Sequence, residues 1–156
     1  MAVCLSGCSY VGRGALAISK TATGELMIHT ALCGDDRIEE IRLVKRPPDD
    51  ADDADDAPYE RVATLQFWRP VGAGVTLEPH RADPRGLTPW SVRTADLDPE
   101  GDYYIIGVGD GFNTQPLNFT VDDFTTLGPS WWLAPGARSQ ARRYTEDIRF
   151  DACEGD

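Results

Sequence analysis

An all-β sandwich is the fold class this sequence predicts, and three observations predict it. Apolar residues recur with a period of two: Ala63, Leu65 and Phe67 alternate with Thr64 and Gln66, and Leu117, Phe119 and Val121 alternate with Asn118 and Thr120. That spacing puts one face of a strand in a core and the other in water. Gly and Pro, 15 and 11 residues, punctuate the chain into short β-rich runs, as turns and strand ends require. No stretch sustains the helical period over a long span. With 156 residues, 41% of them hydrophobic, the chain can bury one core, which predicts a single domain over 15–156.

Taken in order, the expected strands are Ala15–Lys20, Leu26–Cys33, Glu39–Lys45, Arg61–Arg69, Trp90–Thr94, Asp102–Gly109, Leu117–Val121 and Tyr144–Phe150. Asp110-Gly111 suits a hairpin turn after the sixth of these, and Ser139–Tyr144 is read as one helical turn. Trp68 at a strand end and Trp90 at a strand start are expected in the sandwich core.

A local motif refines the fold. Leu97-Asp98-Pro99-Glu100-Gly101-Asp102-Tyr103 reads L-x-P-x-G-x-Y just before a strand. It resembles the tyrosine corner of immunoglobulin-like and fibronectin type III sandwiches, in which a Tyr hydroxyl bonds back to upstream backbone. The resemblance implies a Greek-key, immunoglobulin-like sandwich of about seven to nine strands. It also implies a structural corner made by Leu97, Pro99, Gly101 and Tyr103, with Tyr103, Ile105 and Gly107 facing inward. The disulfide of antibody domains is not reproduced, because Cys33 and Cys153 lie outside the corner strand.

Leu5-Ser6-Gly7-Cys8 matches the bacterial lipobox, after which the cysteine is lipidated and becomes the new N-terminus. Small Ser and Gly fit the peptidase cleft, and the Cys8 thiol carries the lipid. Residues 1–7 then read as a residual signal-peptide leader, the end of an apolar stretch, and 8–14 as lipidated Cys and flexible tether. Four cysteines are present; with Cys4 in the leader and Cys8 acylated, Cys33 and Cys153 remain as an even pair. In an exported protein such a pair is expected to form a disulfide, and closing so long a loop contributes roughly 4–5 kcal/mol in the chain-entropy model.

Fifteen Lys and Arg against 26 Asp and Glu give a net charge of −11. That excludes a nucleic-acid binder, which needs a basic face, and disfavours direct attraction to anionic headgroups. No apolar run approaches the ~20 residues of a membrane helix. Six carboxylates crowd the acidic loop at 47–58, in the repeat Asp49-Asp50-Ala51-Asp52-Asp53-Ala54-Asp55-Asp56. The turn Gly and terminal Glu of an EF-hand are missing, so this run reads as a solvated loop rather than a calcium site. No metal site and no cofactor are expected.

Chemistry-bearing residues are few. His29, spaced by two from Met27 and Ala31, reads as a sheet residue; His80 sits in a Pro-rich loop, Glu78-Pro79-His80-Arg81. Neither has a nucleophile or carboxylate at motif spacing, and no G-x-S-x-G is present, so no catalytic residue is assigned. The best candidate for ligand binding is Pro129-Ser130-Trp131-Trp132, followed by Arg138, Arg142 and Arg143. Adjacent residues of a strand point to opposite faces, so Trp131 and Trp132 cannot both enter one core side. An outward Trp can stack on a sugar or anchor a protein, and the arginines can donate to an anionic group.

The lipobox, the glycine tether, the Ala/Asp/Arg/Gly/Pro-rich composition and the distant cysteine pair together resemble the small lipoproteins of high-GC Gram-positive bacteria. That resemblance implies lipid anchoring on the extracellular face of the cell membrane and a β-sandwich domain. The expected function is non-catalytic: a surface domain that interacts with an envelope protein or cell-wall component. The alternative is a module that binds a glycan or small ligand through the Trp/Arg surface.

Overall fold

Ten strands form two antiparallel sheets in the computed structural model, which describes residues 13–47, 59–79, 91–136 and 140–145. In chain order they are β1 (Ala15–Lys20), β2 (Leu26–Ala31), β3 (Ile38–Lys45), β4 (Glu60–Val71), β5 (Thr76–Leu77), β6 (Asp102–Gly109), β7 (Phe112–Asn113), β8 (Leu117–Thr120), β9 (Trp131–Pro135) and β10 (Ala141–Thr145). One sheet runs β10-β9-β1-β2-β5; the other runs β4-β3-β6, with β7 and β8 both paired to the far side of β6. The chain changes sheet after β2, after β4, after β5 and after β8, which makes the topology a Greek key. The order β1-β2-β5 of one sheet faces β4-β3-β6-β8 of the other in an all-β sandwich, and β9 and β10 widen the first sheet.

Inward residues follow from the alternation. Ile41, Leu43, Leu65 and Phe67 from one sheet meet Leu16, Ile18, Ile28 and Leu133 from the other in a single buried cluster. β7 and β8 are one edge interrupted at Thr114-Gln115-Pro116. Pro116 has no N–H for a ladder, and Thr114, fully buried, fills the gap: its Oγ1 accepts from Gly107 N–H at 2.8 Å, and its own N–H donates to Gly107 carbonyl at 2.9 Å.

The corner forms as the motif implies. Asp98 N–H donates to the Tyr103 hydroxyl at 2.8 Å. The ring is 2% exposed and stacks on Phe119 with centroids 5.9 Å apart. Gly101 is required beneath it, because a Cβ there would lie 2.8 Å from the ring. Leu97 is buried under the turn. Lys45 Nζ donates to Asp98 Oδ2 at 2.6 Å and, together with Glu100 N–H, holds that carboxyl below its ordinary range.

Several elements differ from expectation. Trp68 is not core but 87% exposed: Leu65 and Phe67 point inward, so the same period sends Trp68 out. Trp90, His80, Cys4, Cys8, Cys153, Arg138 and the acidic run from Asp49 to Asp56 lie outside the described residues. The strand expected over Trp90–Thr94 is replaced, in its described part, by a single bridge at Arg93 and a 3-10 turn over Thr94–Asp96. In place of a helical turn over Ser139–Tyr144, Ala141–Thr145 is extended and pairs with β9, which supplies the ladder that local propensity does not reveal. β2 ends at Ala31, before Cys33. Val121 leaves its strand to begin the short helix α1 (Val121–Thr125).

Local chemistry explains α1. The Thr120 hydroxyl accepts from Asp123 N–H at 3.1 Å, and the Asp123 carboxylate accepts from Thr120 N–H at 2.9 Å, a reciprocal capping box. Thr120→Ala is expected to destabilise the fold by about 1 kcal/mol, read as a lower urea midpoint with an unchanged slope.

Candidate functional site

The Trp/Arg candidates divide between two faces. Ile18 pairs with Leu133, and both are core, so Trp132 and Ala134 point to the outer face of the first sheet. Arg142 pairs with Ala134 and Tyr144 with Trp132, which places these two on the same outer face. Trp132 is half-buried, and its ring meets the His29 ring at 5.5 Å between centroids, edge to face. Trp131 is 41% exposed and packs against the backbone of Gly128, where a Cβ would approach its Cδ1 to 3.3 Å. Arg143 donates to Thr126 Oγ1 at 2.6 Å, just past the end of α1. The structure therefore brings Trp132 together with Arg142 and Tyr144, and separates them from Trp131.

His29 faces no carboxylate in the contacts described. Its Nδ1 lies 2.9 Å from Thr76 Oγ1 across the β2–β5 pair, and partial burial lowers its pKa from the ordinary value. Cys33 is half-buried in the turn between β2 and β3. Among the described residues, no group of three or more His, Cys, Asp or Glu is placed to hold a metal ion, and no helix is long and apolar enough to cross a membrane.

A different surface emerges on the second sheet. β4 is one of its two edges: it pairs with β3 on one side, and no described strand pairs with the other. Trp68 projects from this edge, and Tyr59, 61% exposed, lies just before the strand. Register places Glu40 between Gln66 and Val108, and Arg42 between Thr64 and Ile106. This outer face thus carries a half-exposed row, Tyr104, Ile106 and Val108, bordered by an Arg42–Glu40 ion pair. The Arg42 guanidinium holds the Glu40 carboxyl below the usual range, chiefly through its side-chain hydrogen bond. Tyr59 meets Tyr104 edge-on at 6.2 Å, and Arg46 lies over the Tyr104 ring at 5.8 Å. At 87% exposure this indole packs little against the described residues, and Trp is among the residue types enriched in interface hot spots.

These features define the molecule as a Greek-key β-sandwich with a split aromatic surface and, among the described residues, an open edge at β4. No protein-family model matches the chain, and no curated protein or solved structure matches it.

Proposed function

We propose that this chain is a non-catalytic lipoprotein domain, anchored through Cys8 on the extracellular face of the cell membrane, that docks on an envelope protein. The observation that carries the docking is Trp68, 87% exposed on the open edge of β4. Buried in a partner's pocket, such an indole can be a hot spot whose truncation to Ala costs about 2 kcal/mol or more of binding energy. The anchoring rests on Leu5-Ser6-Gly7-Cys8. The Cys33–Cys153 disulfide belongs to the same reading: it is the pair that remains once Cys4 is assigned to the leader and Cys8 to the lipid. Expression from the native locus with its upstream DNA, followed by fractionation and mass measurement of the N-terminal peptide, tests the anchor. A diacylglyceryl-modified Cys8 in the membrane fraction is expected; an unmodified peptide in the cytosol overturns the reading.

A second reading, a glycan or small-ligand module, is favoured by the exposed face of Trp131. Trp132 is already engaged with His29, which narrows the platform to Trp131 and the guanidinium of Arg143. Quenching of Trp fluorescence by cell-wall fragments, abolished by Trp131→Ala, is the result that reading requires.

A further inference from the structure

Arg46 passes over the carboxylate nearest to it in the sheet. It follows β3, and its N–H donates to the Asp102 carbonyl at 2.8 Å, so the two residues are neighbours across the β3–β6 pair. Asp102 in turn sits opposite Thr120 on β8, and Tyr104 sits opposite Asn118. Neighbouring strands lie about 4.8 Å apart, which puts Asp102 one strand from Arg46 and Asn118 two strands away. The guanidinium nevertheless reaches over the Tyr104 ring, 5.8 Å from its centroid, and donates to Asn118 Oδ1 at 2.7 Å. Arg42, Lys45 and Arg93 each form an ion pair with a nearby carboxylate. Among the described residues, neither Arg46 nor the Asp102 carboxylate forms one.

Both charges line one cleft of about 250 Å³, together with Asn118, Asp123 and Gln140. Its walls are fixed by the fold before any ligand enters. Asn118 and the Tyr104 ring hold the guanidinium, and Gln140 is bridged to Asn118. The capping box holds Asp123: Oδ2 accepts from Thr120 N–H at 2.9 Å and from Thr120 Oγ1 at 3.0 Å, which leaves Oδ1 without a bond among the described residues. We propose that this cleft binds a small zwitterion of the amino-acid class, its carboxylate on Arg46 and its ammonium on Asp102 and Asp123. The bond to Asn118 leaves the guanidinium other N–H groups for a carboxylate, and an ammonium supplies three donors to the acidic side. A lone anion would meet two carboxylates, and a lone cation would meet Arg46, so only a ligand of both signs is matched throughout. The volume lies below the ~300–1,000 Å³ of pockets for drug-sized ligands, which suits an occupant of few atoms. The site is separate from Trp68 and does not rest on the docking there.

The test titrates the ¹⁵N-labelled full chain with alanine and follows the Arg46 Nε–H and the Asn118 and Gln140 side-chain amides by NMR. The Arg46 signal is assigned by its loss in Arg46→Gln. Acetate and methylammonium, each carrying one of the two charges, serve as controls at the same ionic strength. Alanine is expected to shift these signals to saturation below about 50 mM, with weaker responses to either control. Arg46→Gln and Asp102→Asn change exposed side chains and are expected to keep the fold, which the backbone signals of the same spectra report. Each is expected to weaken alanine binding by about tenfold or more, read at the Asn118 and Gln140 amides. No saturation with alanine, a response to acetate or methylammonium as strong as that to alanine, or undiminished binding in either folded variant would each overturn the site.

Discussion

Tyr103→Ala is expected to destabilise the domain by about 3–5 kcal/mol, the range for removing a fully buried aromatic side chain. The ring is 2% exposed, stacks on Phe119 and closes over Gly101. Tyr103→Phe separates packing from hydrogen bonding. It keeps the ring but removes the acceptor of Asp98 N–H, and is expected to cost about 1 kcal/mol, because Asp98 is exposed enough for water to replace part of the bond. Urea denaturation of both variants checks this. A Phe variant as stable as the parent would mean that the corner is held by packing alone; an Ala variant losing less than about 1 kcal/mol would remove the corner from the account of stability.

Phe124→Ala is expected to be of similar severity, about 3–5 kcal/mol. Phe124 is 0% exposed and packs near Phe119, with ring centroids 6.4 Å apart, so α1 plugs the end of the sandwich below the corner. A helix of five residues has no independent stability; it exists because Thr120 and Asp123 cap it and Phe124 anchors it. Losing the anchor should therefore release α1 as well. The check is amide exchange at Thr126, whose N–H bonds Asp122 carbonyl at 3.0 Å: protection should be lost in Phe124→Ala and retained in the milder Phe124→Leu.

The parts of this fold that read clearly from sequence are those set by local pattern. The period-two runs through Leu65 and Leu117, the Asp110-Gly111 turn and the corner motif each carry their own chemistry. Gly111, for instance, takes a φ of +73°. Strands stabilised mainly by their partners did not read clearly. β5 and β7 are two residues each, and β10 exists because Arg142 and Tyr144 find ladder partners on β9. Two signals were present and missed. Thr120-x-x-Asp123 is a capping box in plain sequence, and the alternation that sends Phe67 inward sends Trp68 outward. Size led the reading of Trp68 toward the core, where phase should have decided. The candidate site was half legible: adjacency predicted that Trp131 and Trp132 oppose each other, but not that His29 would occupy Trp132. Contacts between side chains far apart in sequence depend on register, and no single strand encodes it.

The docking claim stands on Trp68, and one measurement reaches it directly. A photo-crosslinking amino acid is placed at position 68 in the full chain expressed from its native locus, with position 122 on exposed Asp122 as a control. Irradiated cells are fractionated and adducts are weighed. The account predicts one discrete adduct from position 68, in the membrane fraction, joined to a single envelope protein and missing from the control. Equal, diffuse labelling from both positions, or no adduct from position 68 in membranes that contain the protein, would contradict it.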